Sequence, residues 1–502
     1  MKRKLTNREK STLLTIISSF IPSVLVMILG AIKTRYIISF MGSDKNGIYQ
    51  LMLHLSTFVE FGNLGLASAF RISYFNSISS NDTKKTTEIY NYSKIFFKIA
   101  SIIMIGVSVF ISIISIFIID SEMSRIQILV LQLLICAPNV LDFYTAKDVA
   151  LLSARQKEYI YIGFNKTVYV IRLIISLILI KYTNSLFIFL SVDMILSTIR
   201  YLIIGNVIKK DNSIVLEESK TIDNSPIKIS KYLIPNKISR IIFLNIDTIL
   251  ISAMISNTTV SIYTTYFYIT NCLVVLEEYI VNSFINSLGN LYHSEDSYKN
   301  AVTQEIILLL SFLFVVICVP LTIGMESFVS KIWIGNENYL LDNVTYILIC
   351  ICFVLYSVRL LSGMFEDSIG SYKETYIING IQAVSNILFS IILCKAIGLK
   401  GIILATVITL APFEIMKIKK SLKLAKVSFN RSYFYAFIIL SIVEIFISFR
   451  IMSLVSISGI FNWVVWMAIS SLISIFVNLT IYCLLFKDFR ILLIDLKEKM
   501  LK

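Results

Sequence analysis

The sequence predicts an all-α polytopic membrane protein of about fourteen transmembrane helices, in two pseudo-symmetric six-helix lobes plus two C-terminal helices. Three observations predict it. Of 502 residues, 56% are hydrophobic and 16% charged, with a mean hydropathy of +0.79, whereas soluble domains carry about 25% charged residues. Apolar runs of spanning length follow one another from Ser11 to Phe486, with no stretch between them long enough for a soluble domain. The runs are continuous rather than alternating, which selects helices over a closed barrel.

A hydrocarbon core about 30 Å thick needs about 20 apolar residues per helix. Runs that meet this lie near 12–32, 47–70, 94–119, 127–149, 165–181, 185–207, 236–256, 260–288, 303–328, 343–366, 376–396, 400–418, 432–450 and 460–486. Met1–Lys10 is basic, leads straight into the first run and shows no small-residue cleavage site, so it reads as the start of a retained helix. The first six runs make an N-terminal lobe, 1–207. The longest loop, Ile208 to Ile234, is polar and charged, and makes a cytoplasmic connector at 208–235. The next six runs make a second lobe, 236–418. The remainder, 419–502, holds two extra helices and the tail Lys487–Lys502, which is amphipathic and basic. That tail suits a helix lying on anionic lipid, or a frayed end.

The two lobes read as a duplication. Gly47-Ile48-Tyr49 opens the second run, and Ser261-Ile262-Tyr263 opens the eighth, 214 residues on. Thr34 and Thr248 share that offset, and Lys157-Glu158 meets Lys373-Glu374 at 216. Six helices per half bring both halves in from the same side, so the repeats are parallel.

A net charge of +14 could suggest nucleic acid, but its distribution points to topology. Threading fourteen helices from a cytoplasmic N-terminus places 36 of the 46 Lys and Arg on the inner side and 9 on the outer. This is a positive-inside bias, and it puts both termini in the cytoplasm. The seven Cys all lie within apolar runs, without disulfide or zinc spacing, and read as core packing. Only two His are present, His54 and His293, and no His-Glu-x-x-His, Gly-x-Ser-x-Gly or Walker loop occurs. The chain therefore reads as a non-enzyme, with no catalytic residues, no metal ligands and no cofactor. His54 reads as a helix-packing residue.

Ionisable groups inside spans are functional candidates. Lys33 and Asp247 occupy equivalent positions 214 residues apart, and they pair in one conformational state or snorkel to the interface separately. Arg172 and Asp193 lie mid-span in neighbouring helices and read as an intramembrane ion pair. Lys33, Arg35, Arg71, Arg172 and Arg359 are candidates for anion contact. Glu60, Asp193, Asp247, Glu277 and Glu278 are candidates for coupling or gating, with H+ and Na+ both open as the coupling ion. Glu444 is a further acid within a span.

Gly30-Ala-Ile-Lys-Thr-Arg35, Phe40-Met-Gly42 and Gly47-Ile48-Tyr49 resemble the start of the Wzx-type polysaccharide repeat-unit flippases of the multidrug/oligosaccharidyl-lipid/polysaccharide exporter (MOP) superfamily. Gly65-Leu66 with Arg71, and Asn245-Ile-Asp247-Thr-Ile-Leu-Ile251, are similar to later parts of the same pattern. The resemblance implies two six-helix lobes around a central cavity in a bacterial cytoplasmic membrane. It implies alternating access that carries an undecaprenyl-diphosphate-linked oligosaccharide outward for capsule, O-antigen or other surface polysaccharide. Implied partners are the lipid-linked oligosaccharide, membrane lipids, a polysaccharide polymerase and glycosyltransferases, with no nucleic acid. The lipid II flippases of the superfamily carry an Arg-Asp pair where this chain has Lys33-Thr34, so the cation is kept and the acid lost. A lipid II-type flippase and a MATE-like small-molecule antiporter are the alternatives, followed by a membrane-bound polysaccharide polymerase.

Overall fold

The computed structural model describes residues 7–80, 82–155, 157–210, 221–293, 298–428, 431–452 and 459–501. Its elements are almost all α-helices, with no strand among the described residues. In order they are α1 (Asn7–Met41), α2 (Ser43–Ser56), α3 (Asn63–Ser79), α4 (Thr83–Ile118), α5 (Arg125–Ala154), α6 (Glu158–Thr183), α7 (Leu186–Lys210) and α8 (Ser225–Met254). There follow α9 (Asn257–His293), α10 (Lys299–Ser327), α11 (Asn343–Ile369), α12 (Tyr372–Ile397), α13 (Leu399–Leu424), α14 (Arg431–Met452), α15 (Ile460–Leu485) and α16 (Lys487–Leu501).

Among the described residues, twelve helices are long and apolar enough to cross a membrane. The fourteen expected runs differ from these at two places. The run 47–70 is not one helix. It breaks at Thr57–Gly62, a short 3₁₀ segment between α2 and α3. What distinguishes this point is a competitor for a backbone group: Asn139 Nδ2 of α5 donates to the Ser56 carbonyl at 3.1 Å, a carbonyl that the regular ladder would otherwise use. The Ser56 and Thr57 hydroxyls also donate to the Leu53 and His54 carbonyls, each at 2.7 Å. The run 236–256 lies inside the longer α8, which begins at a Pro-led first turn and carries Pro235 within it. Of the expected connector, 211–220 lies outside the described residues.

The helix starts have local causes. Asp82 accepts from Lys85 N at the head of α4, and Asp342 accepts from Thr345 N at the head of α11. Ser124 and Gln127 form a reciprocal capping box at α5. Gly398, at φ 65°, makes the one-residue turn from α12 into α13, a backbone conformation that a side chain would strain.

The chain divides into two compact units, Met1–Ile262 and Tyr263–Lys502. In the first, α1 packs on α6, α4 on α5, α5 on α7, and α3 on both α5 and α8. Ile37, Ile48, Leu51, Met52, Cys136 and Phe189 form one buried group. Phe70, Phe97 and Phe143 form another, with ring centroids 5.3 Å apart along the series. Lipid gives helices no hydrophobic reason to associate, so close van der Waals fit carries the packing. On α4, Ser101, Ser108, Ser112 and Ser115 make a buried stripe facing the bundle, each hydroxyl donating to a carbonyl of its own helix. In the second unit α13 packs on α11 and α12, while α14 and α15 both pack on α10. Large apolar side chains such as Phe117 and Phe461, about four-fifths exposed at 81% and 77%, face outward, where lipid tails rather than water would meet them.

Candidate functional site

The charges predicted inside the spans gather into clusters within each unit. In the first, α1, α2, α6 and α7 bring together Lys33, Tyr49, Tyr169, Arg172, Phe189 and Asp193. Lys33 Nζ donates to the Tyr49 hydroxyl at 2.6 Å and lies 4.7 Å above the Tyr49 ring and 5.0 Å above the Phe189 ring. Arg172 reaches Asp193 through a fork, with Nε to Oδ1 at 2.9 Å and the second N–H to Oδ2. Its guanidinium stacks 5.5 Å from the Tyr169 ring. Asp193 and Arg172 both act electrostatically on Lys33. The group thus holds two cations and one carboxylate, a net positive charge, with aromatic walls that favour cations. The expected Arg172–Asp193 pair is formed. Lys33 is engaged by Tyr49 and Asp193, while Asp247 is buried on α8.

The other candidates are more scattered. Arg35 is exposed two residues beyond Lys33, on another face of α1, and Arg71 is half-buried on α3. The Glu60 side chain lies outside the described residues, as does that of His293. His54 Nδ1 meets Asn245 Oδ1 of α8 at 2.7 Å, the helix-packing role expected for it. In the second unit, Glu277 of α9 is wholly buried and accepts from the Ser357 hydroxyl of α11 at 2.8 Å, while its neighbour Glu278 is half-buried.

Arg359 belongs to a network that sequence reasoning missed. It acts electrostatically on Glu414 and Lys417 of α13. Lys417 bridges Glu414 at 2.7 Å and donates to Asn379 Oδ1 of α12 at 2.8 Å. Gln382 donates to Glu414 at 3.1 Å, and Thr375 to Glu366. The first unit holds a counterpart. Arg200 of α7 donates to Asn165 of α6 and pairs with Asp142 of α5. These residues line a pocket with Thr145, Tyr161, Phe164 and Tyr201. Asn165 and Asn379 stand 214 residues apart, the offset that separates Gly47-Ile48-Tyr49 from Ser261-Ile262-Tyr263, and Arg200 and Lys417 stand 217 apart. Each half therefore places an asparagine on its fifth span against a cation on its sixth. Arg200 and Lys417 sit near the ends of their runs and read from sequence as loop-side charges; the repeat of the asparagine was the signal that could have exposed them.

This chemistry suits anions that also carry hydrogen-bonding groups. Arg172 presents a planar fork matched to carboxylate or phosphate, and Lys33 a compact ammonium. Among the described residues no group of His, Cys, Asp and Glu is arranged to hold a metal ion.

No protein-family model matches the sequence, and no curated protein matches it. Solved structures do. The lipid II flippase MurJ in an inward closed conformation superposes with a TM-score of 0.67 at 15% identity, over 94% of this chain and 98% of that one. An inward-facing multidrug resistance MATE family transporter of the MOP superfamily gives 0.60 at 13% identity, over 83% and 100%. An outward-facing MATE transporter of the same superfamily gives 0.56 at 14%, over 84% and 98%. The helical architecture of this chain is therefore the fold of the MOP transporters.

Proposed function

We propose that this protein is a flippase that carries undecaprenyl-diphosphate-linked oligosaccharide repeat units across the bacterial cytoplasmic membrane by alternating access, for surface polysaccharide synthesis. The observation that supports this most is the partly buried Lys33–Arg172–Asp193 cluster with its aromatic walls. A diphosphate entering apolar space needs cations with desolvated, directed N–H groups. In this reading Asp193 occupies the Arg172 fork until a phosphate displaces it, and Lys33 then balances the released carboxylate. Arg35, Arg71 and Arg359 are further proposed anion contacts, and Glu277, Glu278, Asp247 and Glu60 proposed coupling groups. The two C-terminal helices also support a lipid-linked substrate. Residues 419–502 are 84 of 502, and the MATE neighbours leave a share of about that size uncovered, while the MurJ neighbour covers 94%.

The test is deletion of the gene with complementation. Loss of surface polysaccharide and accumulation of lipid-linked repeat units on the inner leaflet are expected, restored by the wild type and not by Lys33→Gln. The Arg172→Gln, Asp193→Asn double variant keeps the site electrically neutral at those positions, and is expected to fold yet fail to complement. Normal surface polysaccharide with new drug sensitivity would overturn the reading in favour of an antiporter. The likeness to MurJ supports a second reading, flipping of lipid II; a block in peptidoglycan synthesis on depletion would select it.

A further inference from the structure

The two C-terminal helices carry a buried polar cluster that the charges discussed so far do not touch. Glu444 of α14 lies partly buried opposite α15, and Asn478 of α15 is wholly buried. Asn478 Nδ2 donates to Glu444 Oε1 at 2.6 Å, to the Ser474 carbonyl at 2.9 Å and to Ser474 Oγ at 3.1 Å. The donors of the amide are thus committed, which fixes its orientation and leaves Oδ1 without a hydrogen bond. Asn478 Oδ1, Glu444 Oε2 and Ser441 Oγ are all buried without a hydrogen-bond partner. Ser441, wholly buried, stands one turn before Glu444 on the same helix face. Tyr482, one turn beyond Asn478, lies within electrostatic reach of Glu444 and beside Ser311 of α10. The Ser311 hydroxyl is itself committed to the Leu308 carbonyl at 2.9 Å.

Of the unpartnered atoms here, Glu444 Oε2 and Asn478 Oδ1 can only accept, and one carries a charge; the Ser441 and Tyr482 hydroxyls, unpartnered as well, can donate but cannot neutralise it. Among the described residues no Lys, Arg or His from α10, α11, α15 or α16 pairs with Glu444; α15 faces it with Asn478 and Tyr482, and α10 with Ser311. An uncompensated carboxylate is costly in a membrane-spanning helix. Acceptors without donors are costly too. One positive charge meets both demands. It would neutralise Glu444 and be shared by Oε2, Oδ1 and Ser441 Oγ. The ligands are all oxygen and only one is anionic, which matches a monovalent hard cation.

We propose that Glu444, Asn478 and Ser441 form a binding site for one exchangeable monovalent cation, H+ or Na+, that ties α14 to α15. The bound ion closes the bridge between two helices that otherwise meet mainly through α10. Its release frees them to part.

The experiment uses the purified full chain in lipid nanodiscs, without substrate, so its outcome is independent of the polysaccharide reading. Thermal unfolding midpoints are measured in NaCl against choline chloride at constant ionic strength, and across pH 8 to 5 in choline alone. If Na+ is the ion, the wild-type midpoint rises and saturates with Na+ at pH 8. If H+ is the ion, it rises on acidification in choline and ignores Na+. In either case Glu444→Gln, which supplies its own N–H donors and no charge, is expected to be flat in that titration. Asn478→Ala keeps the carboxylate but loses an oxygen ligand, and is expected to shift the half-saturating concentration at least tenfold. The proposal is overturned if wild type responds to neither ion, or if Glu444→Gln responds as wild type does. Should Glu444→Gln fail to fold, an unshifted half-saturation in Asn478→Ala overturns it instead.

Discussion

Gly47 offers the sharpest test of how the first unit is held together. A Cβ added there would lie 1.8 Å from the Asn257 carbonyl oxygen and 2.5 Å from its carbon. These are backbone atoms at the head of α9, so no side chain can swing aside. Ordinary contact begins near about 3.4 Å, and α2 and α9 would have to separate by about 1.6 Å to accommodate alanine. The neighbouring bond from Asn46 Nδ2 to Ser261 Oγ is 2.7 Å long, and both residues are wholly buried. Stretched by that amount it no longer qualifies as a hydrogen bond. Overpacking costs about 1–3 kcal/mol, and stranding a buried polar pair costs about 1–3 kcal/mol more. Gly47→Ala is thus expected to lose about 2–6 kcal/mol of α2–α9 contact energy. The assay is the thermal unfolding midpoint in nanodiscs together with amide hydrogen exchange over 43–49 and 257–262. Gly106→Ala is the control. Gly106 has open space around it, and removing a helix-interior glycine there should be neutral or gain about 0.5–1 kcal/mol. If Gly47→Ala unfolds and exchanges like wild type while Gly106→Ala behaves as stated, the close approach is not what holds these helices.

Other outcomes follow from the same geometry. Arg172→Gln alone leaves the partly buried Asp193 without its cation and should destabilise by less than the loss of about 3–5 kcal/mol for a fully buried pair, whereas the double variant with Asp193→Asn should recover most of the loss, read by denaturation in nanodiscs. Glu414→Gln removes the carboxylate from a wholly buried Lys417, and should cost more than Asp342→Asn, whose bridge to Lys400 is half exposed. Equal losses would contradict the burial argument. Burial works against the charge on Asp342, but hydrogen bonds from Thr345 and Lys400 outweigh it and hold its carboxyl below the usual range. A depressed folded value means that this cap supports α11 above the ordinary carboxylate range and is lost as pH falls through the folded value. Asp342→Asn should therefore remove a small acid-sensitive component of stability, checked as a flatter melting profile between pH 5 and 3.

What the sequence disclosed depended on whether a residue's environment could be inferred from its own run. Arg172 and Asp193 sit mid-span, where a lone charge is untenable, so their pairing was legible and the structure forms it. His54 was legible as packing for the same reason. The break at Thr57–Gly62 was hidden, because hydropathy is continuous through it and the carbonyl competitor, Asn139, comes from a helix more than eighty residues away. Lys33 was recognised, but its partners were not. The duplication offset singled out Asp247, and offset identifies equivalence, not contact; the actual neighbours come from α2 and α7. Arg200, Glu414 and Lys417 were obscured because a charge near the end of a run looks the same whether it snorkels outward or turns into the bundle. The 6% exposure of Arg200 shows that it turns inward.

The paired asparagines have a consequence for how two halves of one chain can diverge. Asn165 accepts from Arg200 beside an aspartate, whereas Asn379 accepts from Lys417 and offers its amide toward Glu366. An amide is indifferent to the sign of its neighbours, because one end donates and the other accepts. Charges around it can be exchanged, added or reversed one at a time without stranding a polar atom. Two clusters built on such an amide can therefore differ in their charges while keeping the same asparagine–cation contact. The practical corollary is that charge-swapped chimaeras of the two halves should be built outward from Asn165 and Asn379, leaving both amides untouched.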